Sequence, residues 1–414
     1  MRTAWTLAAA LLLSLSARAG GREDAVEILR RLDTRTPEAL ERASRALAAL
    51  GPAAMDDLFA LVGPEAAGPQ DEALARSFRL QPRSELQAFF GGFTRAALAP
   101  ERIDPALLVL REAGSPRELA RCLELSGPGE AEPRAALVAA LAGICARDPA
   151  ACDQALGLAR SAPPGAADAL VRGLAEACSG PAAGALVHLA QERPGLAALA
   201  LSCLLAEAER LPRPADPDLL AVLREQLARE DHPAAQELLL LAGRLEDDES
   251  VPLLIKRLGG SRAELRANAL WSLQRITGLG LGPDVQAWSL WFQEELSWWK
   301  DRAPAVLQLL HGDDAGAQRR ALGELGQRFW HRQQIAGELC EFLAHARAEG
   351  ARIACGLLAR LGCAAAIPTL QARLEDEDPG VQESARKALA SLAGKKIPSR
   401  AVGLAGVPRG GPAR

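Results

Sequence analysis

Four tryptophans fall within twelve residues in the run Asp284–Lys300, which reads Asp-Val-Gln-Ala-Trp-Ser-Leu-Trp-Phe-Gln-Glu-Glu-Leu-Ser-Trp-Trp-Lys. Wound as a helix at about 100° per residue, Val285, Trp288, Trp291, Phe292, Leu296, Trp298 and Trp299 share a sector of about 160°. Glu295 lies in the same sector, and a carboxylate set among indoles needs a charged partner, a donor or water. Such a stripe has two uses. Packed against neighbouring helices, the rings fill a gap and become core. Left open, Trp288, Trp291, Trp298 and Trp299, with Glu295 among them, make a docking patch of the kind enriched at protein interfaces, or a stacking platform for a sugar ring.

Other chemistry finds less support. His188, His232, His311, His331 and His345 have no close ligand spacing such as H-x-x-x-H, so no metal site is expected. No G-x-S-x-G and no phosphate-binding loop occurs, so no catalytic residue and no cofactor is assigned. Gly278-Leu-Gly-Leu-Gly282 follows a helical pattern rather than a strand and is expected to end that helix. The acidic runs Glu246–Glu249 and Glu375–Asp378 lack the spacing of a calcium loop and read as solvated turns.

Residues 1–19 have the make-up of a signal peptide. Arg2 is the charged start, Trp5–Leu15 the apolar stretch, and Ala17-Arg18-Ala19 the small-x-small cleavage pattern. The expected location is the periplasm or outside the cell, with no stable membrane insertion after the leader is removed. Eight cysteines then face oxidising conditions, with no C-x-x-C among them. Most sit in Ala/Leu-rich runs, where Cys behaves as a small apolar residue. Cys340 and Cys355 are symmetric about the turn near Arg347–Ala348, which makes them the disulfide candidate across an antiparallel helix pair.

The composition is 49% hydrophobic and only 4% aromatic, with no tyrosine. No ring occurs from Thr94 to Leu270; five phenylalanines lie between Phe59 and Phe93, and nine rings between Trp271 and Phe342. Residues 20–393 hold 41 basic and 52 acidic side chains, a net charge of −11, which argues against a nucleic-acid partner. The last 21 residues carry five basic groups and no acid and read as a disordered basic tail over 394–414.

The elements that must position the tryptophans are helices. Alternating strand patterns are missing. Thr36-Pro37, Asp104-Pro105, Ser115-Pro116, Asp148-Pro149, Asp216-Pro217 and Asp378-Pro379 each place a capping side chain before a proline at the first helical position. Apolar stripes follow, as at Val251, Leu254, Ile255 and Leu258, or Leu265, Ala269, Leu273 and Ile276. Corresponding helices are predicted to start near residues 133, 165, 195, 232, 262, 314, 348 and 379, a period of about 31 with two insertions, the larger of which, at the tryptophan run, stretches one interval to 52. This spacing predicts an all-α fold, an α-solenoid of stacked antiparallel hairpins in which neighbours bury each other's apolar faces.

On these residues the chain resembles a known family. Ala242–Leu258 looks like the turn and first helix of a HEAT repeat, of the type shared with phycobilisome-lyase-like proteins. Arg262–Leu273, Cys363–Leu370 and Asp376–Leu392 resemble further pieces. The resemblance is good over 231–393 and looser over 101–230. It implies a divergent helical N-terminal region over 20–100, with Phe89, Phe90 and Phe93 closing the stack as a cap, and a HEAT-like solenoid over 101–393 with the Trp-rich insertion at 278–300. Iron-binding HEAT hydroxylases use His-Glu pairs, and this chain has none. Members of the family mostly bind other proteins or act as scaffolds. With the leader and the missing catalytic motifs, the expectation is an exported bacterial member without enzymatic activity, binding a protein or peptide through its inner helical face and the insertion. A carbohydrate or cell-wall binding module and a lyase-like enzyme are the alternatives.

Overall fold

The computed structural model describes residues 22–30, 36–127, 133–211 and 215–394. The leader 1–19 and the tail from 395 onward lie outside the described residues. Among the described residues there is no strand, and the chain divides into two compact units at Pro212 and Arg213. The fold is an all-α solenoid of helix hairpins.

The first unit holds α1 (22–30), α2 (Pro37–Ala48), α3 (Met55–Leu61), α4 (Pro69–Phe78), α5 (Arg83–Gly91), α6 (Ile103–Ala113), α7 (Leu119–Ser126), α8 (Ala135–Arg147), α9 (Pro149–Ser161), α10 (Pro164–Ala177), α11 (Gly180–Glu192) and α12 (Pro194–Glu207). One layer is a continuous ladder in which α2 packs on α4, α4 on α6, α6 on α8, α8 on α10 and α10 on α12. The ladder crosses residue 100 without a break, because α4 and α6 stack in the same way as the later pairs. Helices α7, α9 and α11 make the second layer. Phe78, Phe90 and Phe93 are buried, and Phe59 and Phe89 lean on them half-buried, with ring centroids 5.0–6.1 Å apart through the cluster.

Close stacking requires small residues at particular places. A Cβ on Gly173 of α10 would lie 2.6 Å from the Leu141 Cβ of α8, and one on Gly143 of α8 would lie 2.8 Å from the Arg111 carbonyl oxygen of α6. The helices approach as closely as they do because those side chains are missing.

The second unit holds α13 (Pro217–Ala228), α14 (Ala235–Arg244), α15 (Val251–Leu258), α16 (Ala263–Thr277), α17 (Val285–Asp301), α18 (Ala303–Leu310), α19 (Ala315–Leu325), α20 (Arg332–His345), α21 (Ala348–Leu361), α22 (Ile367–Ala372) and α23 (Pro379–Gly394). Helix α14 packs on α16, α19 on α21, and α21 on α23, continuing the ladder principle, while α17 and α18 bridge from α15 to α19. The starts predicted from the period fall within three residues of α8, α10, α12, α14, α16, α19, α21 and α23.

Five of the six predicted caps form. Thr36, Asp148, Asp216 and Asp378 accept from the amides of Ala39, Ala150, Asp218 and Gly380, and Ser115 closes a capping box with Glu118. Asp104 does not cap. A 3-10 turn at Pro100–Arg102 runs straight into α6, so Asp104 and Pro105 already lie inside its first turn. Gly278 ends α16 in the left-handed region, as its place after the stripe predicted.

A second device ties hairpins together within each unit. Arginine forks donate to carbonyls at the ends of helices about one repeat away, where the helix leaves acceptors unsatisfied. Arg193 reaches Ala159 O and Ala162 O at 2.8 and 3.2 Å, and Arg257 reaches Leu227 O, Arg229 O and Glu230 O at 2.7, 2.5 and 3.2 Å. Arg332 binds Leu361 O, and Arg373 binds Leu343 O. Only five of the 48 basic residues are lysine, which suits a role that needs a planar fork with several donors.

Candidate functional site

Helix α17 starts at an Asp284 cap, whose carboxylate accepts from the Gln286 amide. The stripe then divides by depth. Trp288 is fully buried and donates its indole N–H to Gly282 O at 2.9 Å. Trp291, Phe292, Trp298 and Trp299 are half-buried, and the last two rest on the core formed by α18–α23. Leu296, expected in the ring sector, is 49% exposed, and Leu290 is 61% exposed. The packed and open readings of the stripe thus apply to different residues of one helix.

The partner that Glu295 needs is Arg328, whose guanidinium lies 3.5 Å from its carboxylate. Glu295 is 3% exposed. Burial pushes its carboxyl above the usual range, against Arg328 and the backbone amides of Trp330 and Phe329, which favour the charged form. The same Arg328 lies over the Trp298 ring at 4.9 Å. Trp298 also hydrogen-bonds the Glu324 carboxylate, which Arg302 holds in a bidentate pair.

The rest of the site comes from the segment before α20. Trp330 meets Phe292 edge-on at 4.9 Å, and His331 contacts Trp299 at 5.0 Å and Trp330 at 4.0 Å. Trp330 donates its indole N–H to Asp248 O at 3.0 Å, and Gln333 donates to Glu246 at 2.9 Å. The acidic run Glu246–Glu249 is therefore not a solvated turn. Asp247 is 2% exposed, accepts from the Ser250 hydroxyl and faces Arg224 at 3.5 Å. Burial pushes the Asp248 carboxyl up to about 7, with Asp247, Glu246 and Glu249 adding to the effect and Arg332 opposing it. Burial lowers the His331 imidazole, against the pull of Glu249. Glu246 and His331 both hold positive φ, at 54° and 55°, a conformation that costs energy away from glycine. The run Glu375–Asp378 stays at the surface, where Asp378 caps α23.

Arg328 was not singled out from the sequence, and Trp330 entered only through the density of rings between Trp271 and Phe342; His331 and Asp248 were noted only as a histidine without ligand spacing and as part of an acidic turn. Cys340 and Cys355, the disulfide candidate, are not joined in the structure, where all eight cysteines are free thiols. Cys340 hydrogen-bonds Thr369 on α22, while Cys355 is buried in the α21 core, its thiol pushed up to about 11 by burial. His311 lies 3.0 Å from Glu338, and with Glu341 it brings ligand atoms within 4.8 Å; this surface group comes from separate helices, which no linear spacing reveals.

Hollows also lie among the described residues of the first unit. One of about 780 Å³ lies among Leu123, Leu137, Leu158 and Pro164, and one of about 410 Å³ lies beside Phe59, Phe89, Asp56 and Glu85.

Residues 335–402, which begin in α20 and take in α21, α22 and α23, match the family of HEAT repeats. This stretch belongs to the HEAT-repeat family. HEAT repeats commonly mediate protein interactions. No curated protein matches the sequence. Among solved structures, an engineered protein is similar at 17% identity over 89% of this chain and 99% of that one, with a TM-score of 0.24, too low to bear on the fold. No helix among the described residues is long and apolar enough to cross a membrane.

Proposed function

We propose that the protein is a HEAT-repeat scaffold without enzymatic activity, and that it docks a protein or peptide partner on the surface of α17 and α18. One observation carries the reading. Four large hydrophobic side chains are exposed among the described residues, and three of them, Leu290, Leu296 and, at 37%, Leu309, lie on these two helices. They share these helices with half-buried Trp291, Trp298 and Trp299, and α17 is held by buried Trp288 and by the Glu295–Arg328 pair. Exposed apolar side chains on neighbouring helices that also carry part-open tryptophans fit an interface better than a lone surface leucine would. The inner helical face belongs to the same proposal. So does the periplasmic or secreted location, which rests on residues 1–19 alone.

A sugar platform is the second reading, and the ring geometry weighs against it. The Trp288–Trp291 and Trp298–Trp299 pairs meet at 88° and 89°, so neither pair offers two parallel indole faces. A lyase-like enzyme would need a nucleophile or metal in a cleft, and the geometry around α17 supports neither role for its residues. The test places a photo-crosslinking amino acid at Leu290 and Leu296 of the full chain in its native host. One recurrent partner protein at both positions is expected. Fluorescence saturation by cell-wall glycans, with no protein crosslinked, would overturn the reading in favour of carbohydrate.

A further inference from the structure

We propose that Cys145 and Cys152 form an intramolecular disulfide when the protein folds under oxidising conditions, and that this pair is the molecule's one built-in oxidation site. Cys145 lies in the last turn of α8 and Cys152 in the first turn of α9. Asp148 ends the one helix and caps the other, so no loop residue separates them, and the chain folds back with the two cysteines on facing sides of the corner. Both are buried, at 2% and 0% exposure, and the Cys152 sulfur is 3.6 Å from the Cys145 carbonyl oxygen. Their thiols hydrogen-bond each other, an arrangement found at no other pair of the eight cysteines among the contacts described. Apolar burial alone accounts for a lone cysteine; it does not account for two sulfurs in contact across a corner closed by a capped proline turn.

Before α9 docks on α8 both thiols are open to solvent, and either can attack first. In one of the two equivalent orders Cys152 is the attacking sulfur. Its thiolate attacks a small dialkyl disulfide, forming a mixed disulfide and releasing one thiolate. That thiolate takes the Cys145 proton. The Cys145 sulfur displaces the second thiolate from Cys152, which is protonated by solvent. Two protein thiols are oxidised to one S–S bond, and one dialkyl disulfide is reduced to two thiols. Full burial of Cys152 places the reaction before α9 docks on α8. Nearby Cys122, its thiol pushed up to about 12 by burial, has no thiol in contact and stays reduced.

The proposal is independent of the docking reading and of export, since the chemistry needs only an oxidant. The test is refolding of the full-length chain from denaturant in a buffer of oxidised and reduced glutathione, followed by acid quenching, alkylation and peptide mapping without reduction. Loss of two of the eight thiols is expected, with one linked peptide joining Cys145 to Cys152. Eight alkylated thiols, a Cys340–Cys355 link, Cys122 joined to either sulfur, or glutathione retained on Cys152 would each overturn it. The mapping is made on the natural chain, so no variant need fold. As a second measurement, Cys122→Ser is expected to give the same linked peptide, and Cys145→Ser to trap glutathione on Cys152.

Discussion

Replacing Asp248 with asparagine isolates the electrostatics of the turn that supports Trp330. The change keeps the backbone carbonyl that receives the Trp330 indole N–H and removes only the titration. The ordinary value is 3.8, and burial raises the folded value to about 7. A folded state that holds its proton more tightly than the unfolded chain is most stable where both are protonated, below pH about 4. Stability is then lost as pH rises from about 4 to about 7, and the loss is complete above that. The interval corresponds to a ceiling of about 4 kcal/mol. Asp248 shares the turn with Glu246, Asp247 and Glu249 and keeps 16% side-chain exposure, so about 1–2 kcal/mol is the expected size. His331, 3.8 Å away, acts in the opposite direction, because its lowered folded value favours higher pH, and its coupling to Asp248 holds the expected size well below the ceiling. Urea unfolding followed by tryptophan fluorescence at pH 4 to 8.5 reads the effect. Asp248→Asn should match the natural protein near pH 4 and exceed it by about 1–2 kcal/mol at pH 8. A difference that does not change with pH, or a variant that is less stable at pH 8, would refute the reasoning.

Three further outcomes are expected. Gly173→Leu should lower stability by about 1–3 kcal/mol or prevent folding, since even its Cβ meets Leu141; Gly157→Ala, with open space around it, should be neutral or slightly stabilising in the same thermal melt. Arg257→Lys should cost about 1–2 kcal/mol in urea unfolding, because one ammonium cannot reproduce a fork on three carbonyls. Trp288→Ala should cost about 3–5 kcal/mol, whereas Leu290→Asp should stay within about 0.5 kcal/mol; comparable losses would show that α17 is not divided into a buried and an open face.

The repeat architecture was legible wherever a feature is local. A cap before proline and a stripe of Val251, Leu254, Ile255 and Leu258 depend on neighbours a few residues away, and the structure buries all four. The depth of Trp288 compared with Trp298 was not legible, because it depends on which neighbours pack against each end of α17. Asp247 and Asp248 were misread for the same reason. Four acidic residues in a row look solvated until Trp330, His331 and Arg332 arrive from more than eighty positions away. The arginine forks lie outside any short motif, since each joins residues about thirty apart, and only the repeat period hints at them. Cys340 and Cys355 satisfied the symmetry of a hairpin, yet both are free thiols, with Cys340 bonded to Thr369.

The central claim is that α17 and α18 present a docking surface. It is tested most directly by the affinity of the purified protein for the partner crosslinked at Leu290 and Leu296, compared between the natural chain and a Leu290→Asp, Leu296→Asp variant. The account predicts at least a tenfold weaker Kd, about 1.4 kcal/mol or more, with the thermal midpoint unchanged because both side chains are exposed. An unchanged Kd with an unchanged midpoint would contradict it.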